Sequence, residues 1–320
     1  MIPAESIKAL RSMAEAMEPD LLMSASVLKR LVDDFETHGP ISRLVGDHPD
    51  ARQRFFGLRV LAGVRLLVLQ GKAPALAAHL KDMTSNLGDE SYNEKTWELF
   101  QYSALSHHEE ILEALGRPVQ QHQPGRAAWL LRGLGMLKAP RIRLLEVGAC
   151  AGLNLLVDKY RWFGPGWEWG DPQSPVRLPG SGPAPGEFTI VDRAGCDLAP
   201  RNAADPHDAM ILRSFIPHER DIDQMELDDA IVLAAREGIV IEQEHAIPWL
   251  AKKLAPTRDY RHHLTVVWHS VFSQYLTPQE QGDVDEILAE AARHTPLARV
   301  AAEPPTTFPG PPLLQIHVYS

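Results

Sequence analysis

The fold of this chain is decided by the stretch Arg141-Ile-Arg-Leu-Leu-Glu-Val-Gly-Ala-Cys-Ala-Gly-Leu-Asn-Leu-Leu-Val-Asp-Lys-Tyr160. The apolar run that ends at Val147 is typical of a parallel strand covered on both faces. Small residues follow from Gly148 to Gly152, and helical spacing of apolar residues begins at Leu153. This succession predicts a turn where a ligand approaches the backbone and meets unpaired N–H groups. Small residues also suit any buried strand-to-helix turn, so the motif alone leaves both interpretations open.

A second segment, residues 188–200, predicts a neighbouring strand that carries Asp197 at its carboxyl end. In a doubly wound sheet, a carboxylate in this place can accept hydrogen bonds from both hydroxyls of a ribose. Such an acid usually follows the glycine turn by about 20 residues, and here the separation is longer. We therefore expect residues 161–187, rich in Trp, Pro and Gly, to be an inserted loop. Trp162 is a candidate substrate contact within it, and an ordered, packed loop is the alternative. The alternative is that Asp197 only shapes its turn.

The pattern of apolar residues changes near residue 140. Before it the spacing is helical throughout, with candidate helices at 7–17, 24–36, 51–69, 95–115 and 126–138. After it, apolar runs at 141–147, 188–191, 239–241, 263–268, 298–302 and 313–319 alternate with candidate helices at 217–237 and 278–294. This alternation predicts an α/β domain with a parallel sheet over residues 139–320, preceded by an all-α region over residues 1–138.

Two later strand ends carry polar side chains at the same predicted edge of the sheet. Glu244 and His245 follow one apolar run, where an acid could accept from an adenine amine. His269 and Ser270 end the run at 263–268, where a substrate is expected in an open α/β sheet. Histidine titrates near neutrality, so His269 is the candidate general base, although a structural histidine is the common alternative.

Composition favours a small-molecule partner. The chain has 320 residues and a formal charge of −10 from 32 basic and 42 acidic residues. That charge disfavours nonspecific binding to nucleic acid or to an anionic membrane. No signal segment is apparent, and the most apolar stretch, residues 58–69, is short and carries two arginines. We expect a cytoplasmic protein.

Cysteine and histidine spacings predict no disulfide framework and no metal site. The two cysteines, Cys150 and Cys196, each lie inside a proposed strand-end motif. The histidine pairs at 107–108 and 262–263 are adjacent in sequence, so their side chains point in different directions. Neither pair belongs to a His-Glu-x-x-His motif.

The chain resembles a known bacterial family. Glu146-Val-Gly-Ala-Cys-Ala-Gly-Leu-Asn154, Arg193-x-Gly-x-Asp197-x-x-Pro200, and His269-Ser270 with Tyr275-Leu276 are similar to motifs of domain of unknown function 2332. The likeness spans nearly the whole chain. Members of this family resemble S-adenosylmethionine-dependent methyltransferases of the Rossmann-like class, with a helical N-terminal region and a sheet covered by helices on both faces. No general reaction is assigned to them.

The resemblance implies roles for individual residues. Residues that would bind S-adenosylmethionine are Glu146, Gly148, Ala149, Gly152 and Asn154 toward the methionine part, Asp197 at the ribose, and Glu244 with His245 at the adenine. The chain departs from the family at Cys150, where serine is usual. It also departs at 121–126, which keeps mainly the arginine of an Asn-Glu-x-x-Arg motif. Arg126 could still bind a substrate carboxylate through two parallel hydrogen bonds.

If this cofactor binds, the expected function is methyl transfer to a small molecule, with His269 or Tyr275 removing a proton and Ser270 near the substrate. No Asn/Asp-Pro-Pro-Tyr/Phe signature of adenine methylation occurs. One alternative is a protein that binds the cofactor or a nucleoside without turnover. A second is an α/β-hydrolase with Cys150 as nucleophile, which the helical N-terminal half opposes. A nicotinamide dehydrogenase would also use a glycine turn and an acid, but no Tyr-x-x-x-Lys pair occurs. The N-terminal helices could cover the crevice or form a homodimer.

Overall fold

The structure is a computed structural model that describes residues 2–52, 55–256, 259–260, 262–304 and 312–319. The chain forms two compact units. One consists of Met1–Gln121 and Met210–Gln224, and the other of His122–Ala209 and Met225–Ser320. A domain boundary at residue 138 stays a prediction.

The first unit is helical, and its described residues include no strand. Within Met1–Gln121 its helices are α1 (Ala4–Met17), α2 (Leu22–Glu36), α3 (Pro40–Val45), α4 (Phe56–Leu69), α5 (Pro74–Leu80), α6 (Met83–Asn86), α7 (Glu90–Ser106) and α8 (His108–Leu115). Apolar residues at helical spacing bury one face of each longer helix. Val60, Val64 and Leu67 do so on α4, and Ile111 and Leu115 on α8.

Two helices of this unit differ from the sequence prediction. The single helix expected at 95–115 is two helices, because His107 has φ −125° and ψ 46°, outside the helical region. The helix expected from residue 51 begins at Phe56, since Phe55 has a left-handed φ of 60°. Helical periodicity continues across both breaks, so the pattern alone does not reveal them.

The later segment of this unit is tied to its N-terminal helices by buried polar contacts. The Glu219 carboxylate accepts from the backbone N–H and the hydroxyl of Ser24, both at 2.7 Å. Arg65 lies 2.7 Å from His218 Nδ1 and donates to Gln224 Oε1 at 3.2 Å. Burial lowers the pKa of both Arg65 and His218.

No single helix in the described parts of the chain is long and apolar enough to cross a membrane. The pair α4 and α5 meets the length and composition limits only when taken together, and it is bent by 97°.

The second unit is built on a six-stranded, mostly parallel sheet. The sheet's strands are β1 (Arg141–Val147), β5 (Thr189–Asp197), β6 (Glu242–Gln243), β7 (Leu264–Ser270), β8 (Leu297–Glu303) and β9 (Leu313–Tyr319). Their order is β6-β5-β1-β7-β8-β9, and only β9 is antiparallel to its neighbour. The remaining helices are α9 (Ala127–Leu137), α10 (Pro206–Ser214), α11 (Asp221–Glu237), α12 (Ala246–Lys253) and α13 (Pro278–Ala291), and the unit boundaries fall within α10 and α11.

The sheet confirms the predicted α/β architecture. The bounds of β1 and β9 are those expected from the sequence. Leu145 and Val267 on one face form a core with Trp249 of α12 and Leu288 of α13. On the other face α9 approaches β8 so closely that a Cβ at Gly133 would lie 2.5 Å from Val300 Cγ1.

Three expectations for this unit are wrong in detail. The run at 239–241 is not a strand, because the short strand β6 begins at Glu242. After the glycine turn the chain forms a 3-10 helix, Leu153–Lys159, that departs from helical geometry at Leu156. The helix expected from residue 217 begins at Asp221. The run at 298–302 is confirmed within the longer β8. The strand expected at 263–268 is also present, but β7 begins at Leu264 and continues to Ser270.

Residues 161–187 include a second small sheet, where a loop was expected. Its strands β2 (Arg161–Gly164), β3 (Trp167–Gly170) and β4 (Arg177–Pro179) lie in the order β3-β2-β4. Trp162 is fully buried in this sheet, and its Nε1–H donates to Val157 O at 2.8 Å. The buried side chain packs within the described protein, and a substrate contact at Trp162 stays a prediction.

Candidate functional site

The five parallel strands end at one edge of the sheet. At that edge lie the turn at 148–152 after β1, Asp197 at the end of β5, Glu244 just past β6, and His269, the second-to-last residue of β7. The strands that follow β1 in sequence lie first on one side of it and then on the other. Ligands of open α/β sheets bind outside the carboxyl ends of the strands where the order reverses in this way.

The turn at 148–152 is held by hydrogen bonds to the end of β5 and by one bond within the turn. The Ala149 N–H donates to Cys196 O at 3.0 Å, and the Gly152 N–H donates to Ala149 O at 2.7 Å. The Cys150 N–H donates to a carboxylate at 2.9 Å. The expectation of unpaired donors is wrong for these three residues, because Cys196 and Asp197 of β5 and the carbonyl of Ala149 accept from them.

Protein side chains also cover the two glycines of the turn. Gly148 and Gly152 have left-handed φ values of 68° and 69°, which favour glycine. A Cβ at Gly148 would lie 2.7 Å from the Phe272 ring, and one at Gly152 would lie 2.6 Å from Ile239 and Ile241. Close packing thus requires both glycines, and the expected open approach to the turn is filled by these side chains.

Asp197 connects the end of β5 to the turn after β1. Its Oδ2 accepts from the Cys150 N–H, and its Oδ1 accepts from the Ala199 N–H, both at 2.9 Å. Its carbonyl accepts from the Glu244 N–H at 3.2 Å. A carboxylate has about four acceptor positions, so Asp197 can shape the turn and still accept from a ligand.

Cys150 is unsuited to act as a nucleophile. Its side chain is 7% exposed, and its backbone has a left-handed φ of 52°. Burial, helped by the charge of Asp197, raises the pKa of the Cys150 thiol far above its usual value. A thiol rather than a thiolate is therefore present at neutral pH, and the thiolate is the reactive form.

A buried polar cluster lies beside this turn, formed by His122, Glu146, Asn154 and Trp268. Asn154 Nδ2 donates to Glu146 Oε1 at 2.8 Å, and Trp268 is the register partner of Glu146 across the sheet. Four buried atoms of the cluster have no partner of strict hydrogen-bond geometry among the described residues: His122 Nε2, Glu146 Oε2, Asn154 Oδ1 and Trp268 Nε1. His122 interacts with Asn154, and Glu146 with Trp268, as side-chain hydrogen bonds of looser geometry. The cluster is therefore incompletely satisfied, which leaves acceptor and donor capacity for a water or ligand group.

Burial shifts the titration of two members of the cluster. It raises the pKa of Glu146 to about 8, against the favourable contacts of Asn154 and Trp268, and Asp197 adds to the rise. It lowers the pKa of His122 to about 3, and the nearby charge of Arg126 acts in the same direction. At neutral pH the cluster therefore holds a neutral imidazole and a mostly protonated carboxyl group.

Arg193 of the second motif has a structural role that its spacing does not reveal. It pairs with Asp158 through two hydrogen bonds of 2.8 and 2.9 Å and donates to Leu155 O at 2.6 Å. These bonds fix the 3-10 helix after the turn against β5. Gly195 of β5 allows the turn itself to pack closely against the strand, since a Cβ there would lie 2.8 Å from Ala149 Cβ.

Glu244 and His245 lie near Asp197 but are already engaged. His245 caps α12 by accepting from the Ile247 N–H, and its Nε2 lies 3.2 Å from Glu280. Glu244 Oε2 lies 3.5 Å from Lys252 Nζ. An adenine contact at either residue stays a prediction.

The end of β7 brings His269 to the edge together with a residue that the sequence interpretation missed. His269 Nδ1 lies 2.7 Å from Oε1 of Glu303, the last residue of β8. Ser270 is half-buried at the end of the strand. Tyr275 is 49% exposed in a short 3-10 helix, Ser273–Tyr275. Catalytic roles for His269 and Tyr275 and a substrate contact at Ser270 stay predictions.

His122, Trp268 and Glu303 are the site residues that sequence reasoning missed. Trp268 had a signal, because it stands directly before the candidate base His269. His122 lies in the segment 121–126, whose only residue matching the family motif is Arg126. Glu303 carried no sequence signal, because it lies 34 residues from its partner His269 and just beyond the strand predicted at 298–302.

The described residues contain no group of three or more His, Cys, Asp or Glu side chains that could hold a metal ion. The polar groups at the edge are instead carboxyl, amide, imidazole and indole groups, which suit an organic ligand with its own donors and acceptors.

Comparison with known proteins gives one match. Neither the curated proteins nor the solved structures include a match to the chain. The bacterial family described as an uncharacterized protein conserved in bacteria, domain of unknown function 2332, matches residues 8–318. This range covers both units and every motif of the sheet edge, and the chain therefore belongs to that family.

Proposed function

We propose that the chain is an S-adenosylmethionine-dependent methyltransferase that acts on a small molecule, and that its second unit is Rossmann-like. The observation that carries the proposal is the buried polar cluster at the carboxyl edge of the sheet, beside Asp197 and the point where strand order reverses. Four of its atoms lack a partner of strict hydrogen-bond geometry among the described residues.

The strand order supports a nucleotide-type ligand. Counted along the sequence within the large sheet, the parallel strands lie in the order 3-2-1-4-5. This is the order of the first five strands in the classic doubly wound fold, which binds its nucleotide at the reversal between strands 1 and 4. In this chain the reversal lies between β1 and β7, where the polar cluster begins.

The polar groups fit the two ends of the proposed cofactor. Its amino-acid end carries an ammonium and a carboxylate, which can meet Glu146, Asn154 and the neutral His122. Its ribose hydroxyls can donate to the remaining acceptor positions of Asp197. Gly148, Ala149 and Gly152 would shape the turn between these two places. S-Adenosylmethionine supplies a methyl group on a cationic sulfur, an electrophile that needs an aligned nucleophile more than covalent help.

The acidic charge of the chain supports a small-molecule acceptor over nucleic acid or an anionic membrane. Arg126 and Ser270 are the proposed acceptor contacts. Location in the cytoplasm and assembly as a homodimer are further proposals that rest on the sequence.

Calorimetric titration tests the proposal directly. The purified chain is titrated with S-adenosylmethionine, S-adenosylhomocysteine and NAD, alongside Asp197→Asn and Asp197→Ala. Asp197→Asn keeps one side-chain oxygen that can accept from the turn. It replaces the second oxygen by an NH2 group, which cannot accept from a ribose hydroxyl. Asp229→Asn, an exposed acid on α11, is the control for charge.

We expect micromolar binding of both sulfur compounds, a loss of at least about tenfold in the Asp197 variants, and no change in the control. A lost hydrogen bond to a charged group accounts for a decrease of this size. Binding of NAD alone, or of nothing by folded protein, would reject the cofactor. Tight binding without methyl transfer to any acceptor would favour a non-catalytic nucleoside-binding protein.

A further inference from the structure

A buried imidazole–carboxylate pair ends two neighbouring strands of the sheet. His269 of β7 and Glu303 of β8 lie 2.7 Å apart, from Nδ1 to Oε1. Each side chain is 8% exposed. The pair is therefore shielded from water, which makes its geometry well defined and its hydrogen bond strong.

One oxygen of Glu303 receives three donors. Oε1 accepts from the backbone N–H of Phe272 at 2.9 Å and from that of Ser273 at 3.3 Å, in addition to its contact with His269. An oxygen that already accepts two N–H groups acts as an acceptor toward the ring as well. Nδ1 of His269 must then carry the hydrogen, which leaves Nε2 as the nitrogen with a free lone pair.

The same carboxylate holds the loop that faces the glycine turn. Val271 has a left-handed φ of 52°, an unfavourable conformation for a β-branched residue. The ring of Phe272 lies 5.8 Å from that of His269, and it covers Gly148. Backbone strain of this kind persists where surrounding contacts enforce it, often at functional sites. Here the contacts are those of Glu303.

We propose that Glu303 is a positioning residue that fixes His269 as a general base, and that the methyl acceptor is a nucleophile with a proton on its reacting oxygen or nitrogen. This inference rests on the proposed methyl transfer. The acceptor's heteroatom bonds to the methyl carbon as the carbon–sulfur bond breaks, and the electron pair of that bond leaves with the sulfur of S-adenosylhomocysteine. The acceptor's proton moves to Nε2 of His269, and the imidazolium then releases that proton to water. Glu303 keeps its charge throughout and stabilises the imidazolium.

Nitrogen-15 NMR of ring-labelled histidine tests the positioning step without any substrate. At alkaline pH the wild-type spectrum should show His269 with hydrogen on Nδ1. A glutamine could keep its oxygen on the Phe272 and Ser273 N–H groups and still accept from Nδ1, so the informative variant is Glu303→Leu. It leaves Nδ1 without this acceptor, and the preference for hydrogen on Nδ1 should be lost. Glu280→Gln is the matched control, because it removes a carboxylate that lies 3.2 Å from a different histidine, His245. It should leave the His269 signals unchanged.

Wild-type His269 with hydrogen on Nε2 would overturn the proposal, and so would a Glu303→Leu spectrum identical to that of the wild type. If the Leu variant does not fold, Glu303→Asp replaces it. This variant keeps a carboxylate and should keep hydrogen on Nδ1 of His269. Loss of that tautomer in a folded variant would contradict the claim that the carboxylate sets the tautomer.

Turnover tests the acceptor class. Release of S-adenosylhomocysteine is measured with panels of hydroxyl, primary amine and tertiary amine compounds. Acceptors that carry a proton should react, and His269→Gln and Glu303→Gln should lower kcat by about 10²-fold. Reaction confined to tertiary amines, or variants with wild-type kcat, would refute the inference. Calorimetric binding of S-adenosylhomocysteine should stay within twofold in both variants. Absence of binding in the wild type would reject the cofactor instead, whatever the tautomer of His269.

Discussion

Replacement of Glu146 by glutamine should change how stability depends on pH. Burial raises the pKa of Glu146 from 4.5 to about 8. Between these values the folded protein holds the proton and the unfolded chain does not, so a rise in pH favours unfolding. Each pH unit in this window lowers the free energy of unfolding by about 1.4 kcal/mol, with an upper limit of about 5 kcal/mol over the whole window.

His122 shifts in the opposite direction, which sets the useful pH range. Its pKa is lowered from 6.5 to about 3, so its contribution to stability is complete above pH 6.5 and is lost as the pH falls toward 3. Of these two groups, only Glu146 therefore changes the free energy of unfolding between pH 6.5 and pH 8. It should amount to about 2 kcal/mol over this range.

Urea unfolding followed by tryptophan fluorescence measures this effect at several pH values from 6.5 to 8. Glu146→Gln keeps an oxygen for Asn154 and removes the titration, so it should gain about 2 kcal/mol relative to the wild type across the range. Glu290→Gln, on an exposed side chain of α13, should show no such gain. A constant difference between Glu146→Gln and wild type at every pH would refute the assigned burial of this carboxyl.

Three further substitutions or reactions test the structure around the turn. Arg193→Ala removes both bonds to the half-buried Asp158 and should lower the free energy of unfolding by about 1–3 kcal/mol in urea; a change near zero would contradict that pairing. Gly195→Ala should destabilise by about 1–3 kcal/mol through overpacking, whereas Gly282→Ala, in open space within α13, should stabilise by up to about 1 kcal/mol; equal effects would argue against close packing at β5. The Cys150 thiol should react with a disulfide reagent far more slowly in folded than in urea-unfolded protein, and fast reaction of native protein would contradict its burial.

The sequence predicted the framework of the sheet edge. The strand at 141–147 was predicted to the residue, because both its faces are covered and its apolar run has no competing pattern. Asp197 and His269 were placed correctly at strand ends, since apolar runs followed by polar residues mark those ends. Strand ends are therefore the part of such a site that sequence periodicity can locate.

Contacts made by folding could not be predicted in the same way. Nothing near Glu303 in sequence indicates that it meets His269, because only the pairing of β7 with β8 brings them together. The prediction of unpaired donors in the turn was wrong, because the Asp197 side chain on β5 accepts a hydrogen bond from the Cys150 N–H. Trp162 was assigned to a loop, because strands as short as those of the small sheet carry little periodicity.

A crystal structure of the wild-type chain with S-adenosylhomocysteine tests the central claim most directly. The account predicts the ligand at the carboxyl edge of the sheet, with its amino-acid end within hydrogen-bond distance of Glu146 Oε2 and Asn154 Oδ1. Its ribose hydroxyls should donate to Asp197. Ordered water alone on these atoms, with the ligand absent or bound elsewhere, would contradict it.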